Sequence, residues 1–211
     1  MPSIDRIVPS IQRSRLHFSA TFVPVIMLFI FFSMIGQTPR AFAESEARNI
    51  PNRFGISASV GNNFSPNSEI TFLSLSGISL IDVQRILPNR LKAPQSIRLK
   101  AEFSPGIIMR PDTRAIISAQ VLALIYFDSL STSIFKPFLE FGAGGIYIDY
   151  RVEGQDSRFN FLLIGGPGIE FTSGPLKNYF TTLRYHHISN GGLSNSNKAI
   201  DSLTFSVGYY F

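Results

Sequence analysis

The chain has 211 residues, no cysteine and a formal net charge of +5 at pH 7. Without cysteine it can form no disulfide framework, and it can offer no thiolate as a nucleophile or as a metal ligand. Four of its 19 basic residues and one of its 14 acidic residues fall in the first 43 positions. The rest of the chain therefore carries only about +2 and has no dense basic stretch, so no nucleic acid partner is expected.

The first 43 residues are typical of a secretory signal peptide. Three arginines precede an apolar run at 22–35, and an Ala-Phe-Ala pattern follows at 41–43. This is the order of a charged region, a hydrophobic region and a cleavage site. The alternative of an uncleaved anchor is disfavoured, because the uninterrupted run is shorter than the ~20 apolar residues that a membrane helix needs. We predict a signal peptide over 1–43 and one mature domain over 44–211.

Eight segments of two-residue alternation follow, and residues with turn-forming backbone preferences separate them. They lie near 54–62, 69–81, 95–107, 115–127, 136–150, 157–171, 177–189 and 201–211. No apolar segment among them is long and uniform enough for a membrane helix. The pattern predicts an all-β chain of eight antiparallel strands.

The strands have one apolar and one polar face, as where Leu99 and Ala101 alternate with Lys100 and Glu102. A soluble β-sandwich would show the same alternation. Segments of roughly 9 to 15 residues, an even strand number and abundant aromatic residues are features of membrane barrels. The chain also ends on an aromatic triplet at 209–211. We therefore predict an eight-stranded antiparallel transmembrane β-barrel of the bacterial outer membrane.

Side chains must fill the interior of so narrow a barrel. We predict that Glu140, Glu170 and Arg184 point inward and form an ion-pair network, and that His186 points inward and is hydrogen-bonded there. In the second segment the apolar positions change face partway along the strand. This irregularity predicts a β-bulge near Gly77.

The seventh segment carries ionisable residues on its apolar face. Counting from Leu183 places His187 and Ser189 on the outer, lipid-facing surface near the rim, and Asp201 on the same face of the next strand. Ionisable groups on the lipid face cost stability, so this cluster needs an explanation. A hydroxyl, an imidazole and a carboxylate together indicate nucleophilic catalysis on an ester.

The connection after the seventh segment could stabilise the oxyanion of such a reaction. Candidate donors are the side chains of Asn190 and Asn197 and the backbone N–H groups around Gly191 and Gly192. The alternative is that all these groups are solvated rim residues and that 190–197 is only an extracellular turn.

The stretch 184–201 resembles the C-terminal signature of the outer-membrane lipid A 3-O-deacylase family. That signature is His-x-Ser-Asn-x-Gly-Leu, a second asparagine and then an acidic residue, and 136–144 also resembles the family's fifth strand. By this resemblance the catalytic histidine falls on His187, the nucleophile on Ser189, the first loop asparagine on Asn190, the oxyanion-binding asparagine on Asn197 and the acidic residue on Asp201. The best-known members carry Glu at this last position, so the side chain of Asp201 is one methylene shorter.

The resemblance implies an eight-stranded barrel that acts as a serine esterase on the 3-linked acyl chain of lipid A, without a metal or an organic cofactor. Lipid A within lipopolysaccharide and the lipids of the outer membrane are the expected partners, and a homodimer is left open. Two alternatives remain at this point. The chain could be a non-catalytic small outer-membrane barrel, or an outer-membrane phospholipase using the same residues on another ester.

Overall fold

The structure, a computed structural model, describes residues 51–66, 70–88, 94, 96–150 and 152–211, and the predicted signal peptide lies outside them. Eight strands form the fold: β1 (Arg53–Ser65), β2 (Thr71–Asp82), β3 (Ile97–Arg110), β4 (Arg114–Tyr126), β5 (Phe135–Ile148), β6 (Phe159–Phe171), β7 (Tyr179–Ser189) and β8 (Ile200–Tyr210). Among the described residues, short 3-10 helices lie at Val83–Arg85, Asp128–Leu130 and Gly174–Leu176. No helix within the described ranges is long and apolar enough to span a membrane.

Each strand pairs with the next in antiparallel fashion, and β1 pairs with β8 to close the sheet into a barrel. Closure leaves no strand edge with unpaired backbone groups. The predicted all-β, eight-stranded antiparallel barrel is confirmed. The predicted segments and the observed strands differ at their ends by no more than three residues.

The outer wall of the barrel is apolar. Large hydrophobic side chains project from every strand, and Leu183 and Phe205 are each about half-exposed. A continuous apolar surface of this kind requires an apolar solvent. Strands of 11 to 14 residues are also long enough to cross a bilayer at the usual barrel tilt. The wall is therefore suited to the hydrocarbon core of a membrane.

β2 is a regular strand, and the prediction of a β-bulge near Gly77 is wrong. The pairing of β1 with β2 runs without interruption past this glycine. Ile78 and Leu80 point inward and are buried, because the narrow barrel interior accepts apolar as well as polar side chains. The register shift lies instead between Thr71 and Phe72, in the pairing with β3.

A buried ion cluster occupies the barrel interior. Arg184 Nε lies 2.5 Å from Glu140 Oε1, and Arg184 Nη2 lies 2.8 Å from Glu102 Oε1. Lys100 contacts both carboxylates, at 3.2 Å from Glu102 Oε1 and more closely at Glu140. Two cations and two anions balance, which buried charges require. The predicted inward ion pairing of Glu140 and Arg184 is confirmed, and β3 supplies the other two members.

Glu170 also points inward but belongs to a separate group. It accepts hydrogen bonds from Arg53 Nη1 at 2.5 Å and from the Tyr126 hydroxyl at 2.7 Å. Its partner across the β6–β7 pairing is Phe180, four residues before Arg184. Four strand residues span about 13 Å. The prediction was therefore wrong in joining Glu170 to the network of Glu140 and Arg184.

A glycine on β6 gives the ion cluster its space. Gly166 is the cross-strand partner of Glu140. A Cβ atom at Gly166 would lie 1.9 Å from the carbonyl oxygen of Leu183 and 2.9 Å from the Cα atom of Arg184. β6 lies between β5 and β7 and thus has no side chain at this level. The Glu140 carboxylate can therefore contact the Arg184 guanidinium across β6.

Replacing Glu140 with alanine would leave two buried cations with one carboxylate. We expect the free energy of unfolding to fall by about 3–5 kcal/mol, the usual cost of removing one partner from a buried ion pair. Urea titration of the barrel folded into phospholipid vesicles measures this loss. Glu153→Ala, in an exposed loop, is the control. A Glu140→Ala barrel as stable as this control would show that the cluster contributes nothing.

Candidate active site

The predicted triad residues lie together at the end of the barrel opposite the start of β1 and the end of β8. His187 and Ser189 are on the outward-facing side of β7, where they alternate with the buried residues His186 and Ile188. Asp201 is the direct cross-strand partner of His187 on β8. All three side chains are partly exposed, so they lie on the outer wall where the sequence pattern put them.

The imidazole of His187 and the carboxylate of Asp201 form a hydrogen bond, with 2.7 Å between Nδ1 and Oδ1. The shorter aspartate reaches because directly opposed residues in an antiparallel pair have Cβ atoms only about 4.5–5.5 Å apart. An ionised carboxylate can only accept, so Nδ1 carries the proton. The other ring nitrogen, Nε2, therefore keeps its lone pair and can act as a base.

Ser189 lies two residues after His187 on the same face of β7. Residues so placed are about 7 Å apart along a strand, a span that the imidazole and the hydroxyl can close by side-chain rotation. Within the described ranges, neither Ser189 Oγ nor His187 Nε2 has a hydrogen-bond partner. Both atoms are thus available to each other, and such contacts often tighten only when substrate binds.

Asn190, the first residue of the following loop, is almost fully buried and holds that loop together. Its Nδ2 has two hydrogens to share among three acceptors in hydrogen-bond range: Gln155 Oε1 at 3.1 Å, Ser194 Oγ at 2.6 Å and the Ser196 carbonyl at 2.8 Å. Its Oδ1 accepts from the Gly192 N–H at 2.9 Å. These bonds occupy the side chain of Asn190 and the backbone donor of Gly192, two of the predicted oxyanion donors.

Asn197 and Gly191 retain donors near Ser189. Asn197 Oδ1 accepts from the Asn190 N–H at 2.8 Å, and its Nδ2 has no partner among the described residues. Gly191 has a positive φ of 65° and Gly192 one of 80°, a backbone conformation that other residues rarely adopt. The Gly191 N–H makes no hydrogen bond within the same ranges. Two of the four predicted oxyanion residues therefore present an available N–H group.

Sequence reasoning missed two residues at this site. The Tyr185 hydroxyl donates to Asp201 Oδ1 at 2.6 Å, and its position on the outward face two residues before His187 could have suggested it. Gln155 lies in the loop between β5 and β6 and forms an isolated β-bridge with Asn197. Nothing in the sequence pattern links that loop to the triad, because the contact depends on how the two loops fold over the rim.

His186 points inward as predicted. Its ring stacks on Phe72, with 6.4 Å between ring centroids. The predicted hydrogen bond is not present at Nε2, which has no partner among the described residues.

Comparisons with known proteins give one family and one fold. A family model described as lipid A 3-O-deacylase (PagL) matches residues 98–210. No curated protein is similar enough in sequence to match this chain. The crystal structure of the outer membrane enzyme PagL is similar at 22% identity with a TM-score of 0.52, covering 74% of this chain and 98% of that one. Neisserial surface protein A is similar at 14% identity and a TM-score of 0.52, over 76% and 97% of the two chains.

Proposed function

This chain belongs to the lipid A 3-O-deacylase family, and we propose that Ser189, His187 and Asp201 are the triad with which it hydrolyses the 3-linked acyl ester of lipid A. The observation that carries the proposal is the hydrogen bond between His187 and Asp201 on the outer wall, beside a serine hydroxyl without a partner among the described residues. The product would be a free fatty acid and a lipid A molecule with one fewer acyl chain.

In the first half of the reaction, His187 Nε2 takes the proton of the Ser189 hydroxyl as Oγ attacks the ester carbonyl carbon. Negative charge develops on the carbonyl oxygen. The Asn197 Nδ2 and the Gly191 N–H are the available donors for this oxyanion. Asp201 stabilises the imidazolium and holds its orientation. When the carbonyl re-forms, the ester bond breaks, and the sugar oxygen leaves with the proton from Nε2.

In the second half, water releases the acyl chain from Ser189. His187 Nε2 takes a proton from the water as its oxygen attacks the acyl carbon, and returns that proton to Ser189 Oγ when the fatty acid departs. The same donors stabilise the second oxyanion. No additional group is needed to balance protons or electrons.

The position of the site on the outer wall suits a lipid substrate. The triad lies at the rim, where His187 and Asp201 are only about one-fifth exposed. If the end of the barrel with the start of β1 and the end of β8 faces the periplasm, this rim lies at the level of the outer leaflet headgroups. A lipid A molecule could then reach Ser189 by lateral diffusion, with its acyl chains against the apolar wall. Such an approach leaves the substrate in the bilayer throughout.

Replacing Ser189 with alanine should abolish deacylation, because no nucleophile remains. Lipid A is extracted from cells expressing the wild type, Ser189→Ala or the control Thr181→Ala, which alters the same outward face of β7. Mass spectrometry should show loss of one hydroxyacyl chain with the wild type and the control only. Deacylation that persists with folded Ser189→Ala would exclude this serine as nucleophile. The host must carry a 3-linked acyl ester. If its lipid A then stays intact in all strains and the protein releases fatty acid from phospholipid vesicles, the chain is a phospholipase.

Asn197→Asp tests the proposed oxyanion donor. Aspartate keeps the oxygen that accepts from the Asn190 N–H but removes the N–H donor and adds a negative charge. We expect kcat to fall by about 100-fold or more, the usual effect of losing one such donor, with KM little changed. Asn195→Asp puts the same charge in the same loop and should retain activity. Equal kcat values for the two variants would argue against a role for Asn197.

A further inference from the structure

A third polar group lies beside His187 and Ser189 on the outer face of β7, the hydroxyl of Tyr185. It donates to Oδ1 of Asp201 at 2.6 Å, the same oxygen that His187 Nδ1 contacts at 2.7 Å. Asp201 thus receives two donors from one neighbouring strand. The triad carboxylate is held by a phenol as well as by the imidazole.

The geometry of the sheet explains how Tyr185 reaches Asp201. Its direct partner on β8 is Leu203. Asp201 lies two residues nearer the rim on β8 and is therefore the diagonal neighbour of Tyr185. Diagonal neighbours are about 7–8 Å apart, within reach of an aromatic side chain. β1 pairs with the other side of β8, and the register of that pairing shifts at Phe64, between Asn63 and Ser65. The Phe64 ring packs against that of Tyr185, with 6.2 Å between centroids.

A carboxylate on the lipid-facing wall needs such a donor. Removing an ionised group from water is costly unless hydrogen bonds replace its hydration. Tyr185 pairs with Leu203, two residues farther from the rim than Asp201, so its hydroxyl reaches the carboxylate from the side away from the rim. Hydrogen bonds to an ionised acceptor are short and roughly twice as strong as neutral ones. Two fixed donors also restrict the rotation of the carboxylate.

We propose that Tyr185 is a positioning residue of this active site, whose hydroxyl holds the Asp201 carboxylate oriented toward His187 Nδ1. The inference rests on the proposed triad and extends it by one residue. Tyr185 acts on the reaction only through Asp201. A second donor suits a chain whose acidic residue has the short aspartate side chain, because Tyr185 and His187 together hold that carboxylate in place.

Tyr185→Phe removes a single oxygen atom and keeps the ring that packs against Phe64. Tyr179 provides a matched control, because it lies on the same strand and the same outward face and is equally exposed, at 41%. Its ring packs against Tyr209, and its hydroxyl has no hydrogen-bond partner among the described residues. Tyr179→Phe therefore makes the same chemical change without touching Asp201.

The experiment measures kcat and KM for fatty acid release from lipid A in mixed micelles. The enzymes are the wild type, Tyr185→Phe, Tyr179→Phe, Asp201→Ala and the double variant with Tyr185→Phe and Asp201→Ala. We expect Tyr185→Phe to lower kcat by on the order of tenfold, the size expected for a hydrogen bond to a charged group, with KM unchanged. Tyr179→Phe should match the wild type. In the Asp201→Ala background, Tyr185→Phe should have no further effect, because its only route to the reaction is gone.

Two results would overturn the inference while leaving the triad intact. One is an impaired Asp201→Ala enzyme beside a fully active Tyr185→Phe enzyme. The other is an equal loss from Tyr185→Phe with and without Asp201, which indicates a general structural role. An Asp201→Ala enzyme as active as the wild type would instead overturn the proposed triad and the role of Tyr185 with it. The shift in mobility of the folded barrel on unheated gels verifies that each variant is folded.

Discussion

Pairing of β1 with β8 closes the sheet into a barrel, and the arrangement of all other side chains follows from that closure. Inside a bilayer no water can satisfy an unpaired backbone group, so a sheet can span the membrane only when it is closed. Closure also fixes which side of every strand faces inward. Polar residues such as Glu140 and Arg184 then lie in the interior, and apolar residues form the wall. Against this apolar wall, His187, Ser189 and Asp201 form a polar cluster near the rim, and we propose that this cluster is the active site.

The interior and the outer wall are connected through β7. Arg184 points inward and is bound to carboxylates on β3 and β5. The next residue, Tyr185, points outward to Asp201, and His187 follows two positions later. Because the charge cluster anchors β7 to two other strands, it limits how far this strand can shift relative to the rest of the barrel. Catalysis by a triad depends on such fixed geometry, since small displacements of reacting groups are costly.

Much of this architecture could be predicted from the sequence, because strand alternation and turn residues are local signals. The outward placement of His187 and Ser189 followed from counting two residues per repeat. The same counting failed at Gly77, where apolar residues on both faces of β2 suggested a bulge that does not exist. It failed because the interior of a narrow barrel is partly apolar, so hydrophobicity alone does not identify the lipid side.

Contacts between distant parts of the chain could not be predicted in this way. Glu170 was grouped with Arg184 because both point inward, but strand register separates them along the barrel axis. Gln155 reaches the loop after β7 only through the folding of another loop over the rim. The sequence predicts the side chain of Asn190 near the oxyanion, yet its atoms form hydrogen bonds within its own loop and to Gln155 in the neighbouring loop. Each of these depends on register or loop conformation rather than on pattern.

In the proposed mechanism, Ser189 is a nucleophile that His187 activates on the lipid-facing wall. The most direct measurement is covalent labelling of the folded protein in membranes with an alkyl fluorophosphonate, followed by mass spectrometry of its peptides. We expect a single adduct, on Ser189, in the wild type and none in a folded His187→Ala variant. An adduct on another serine, or equal labelling of Ser189 without the imidazole, would contradict it.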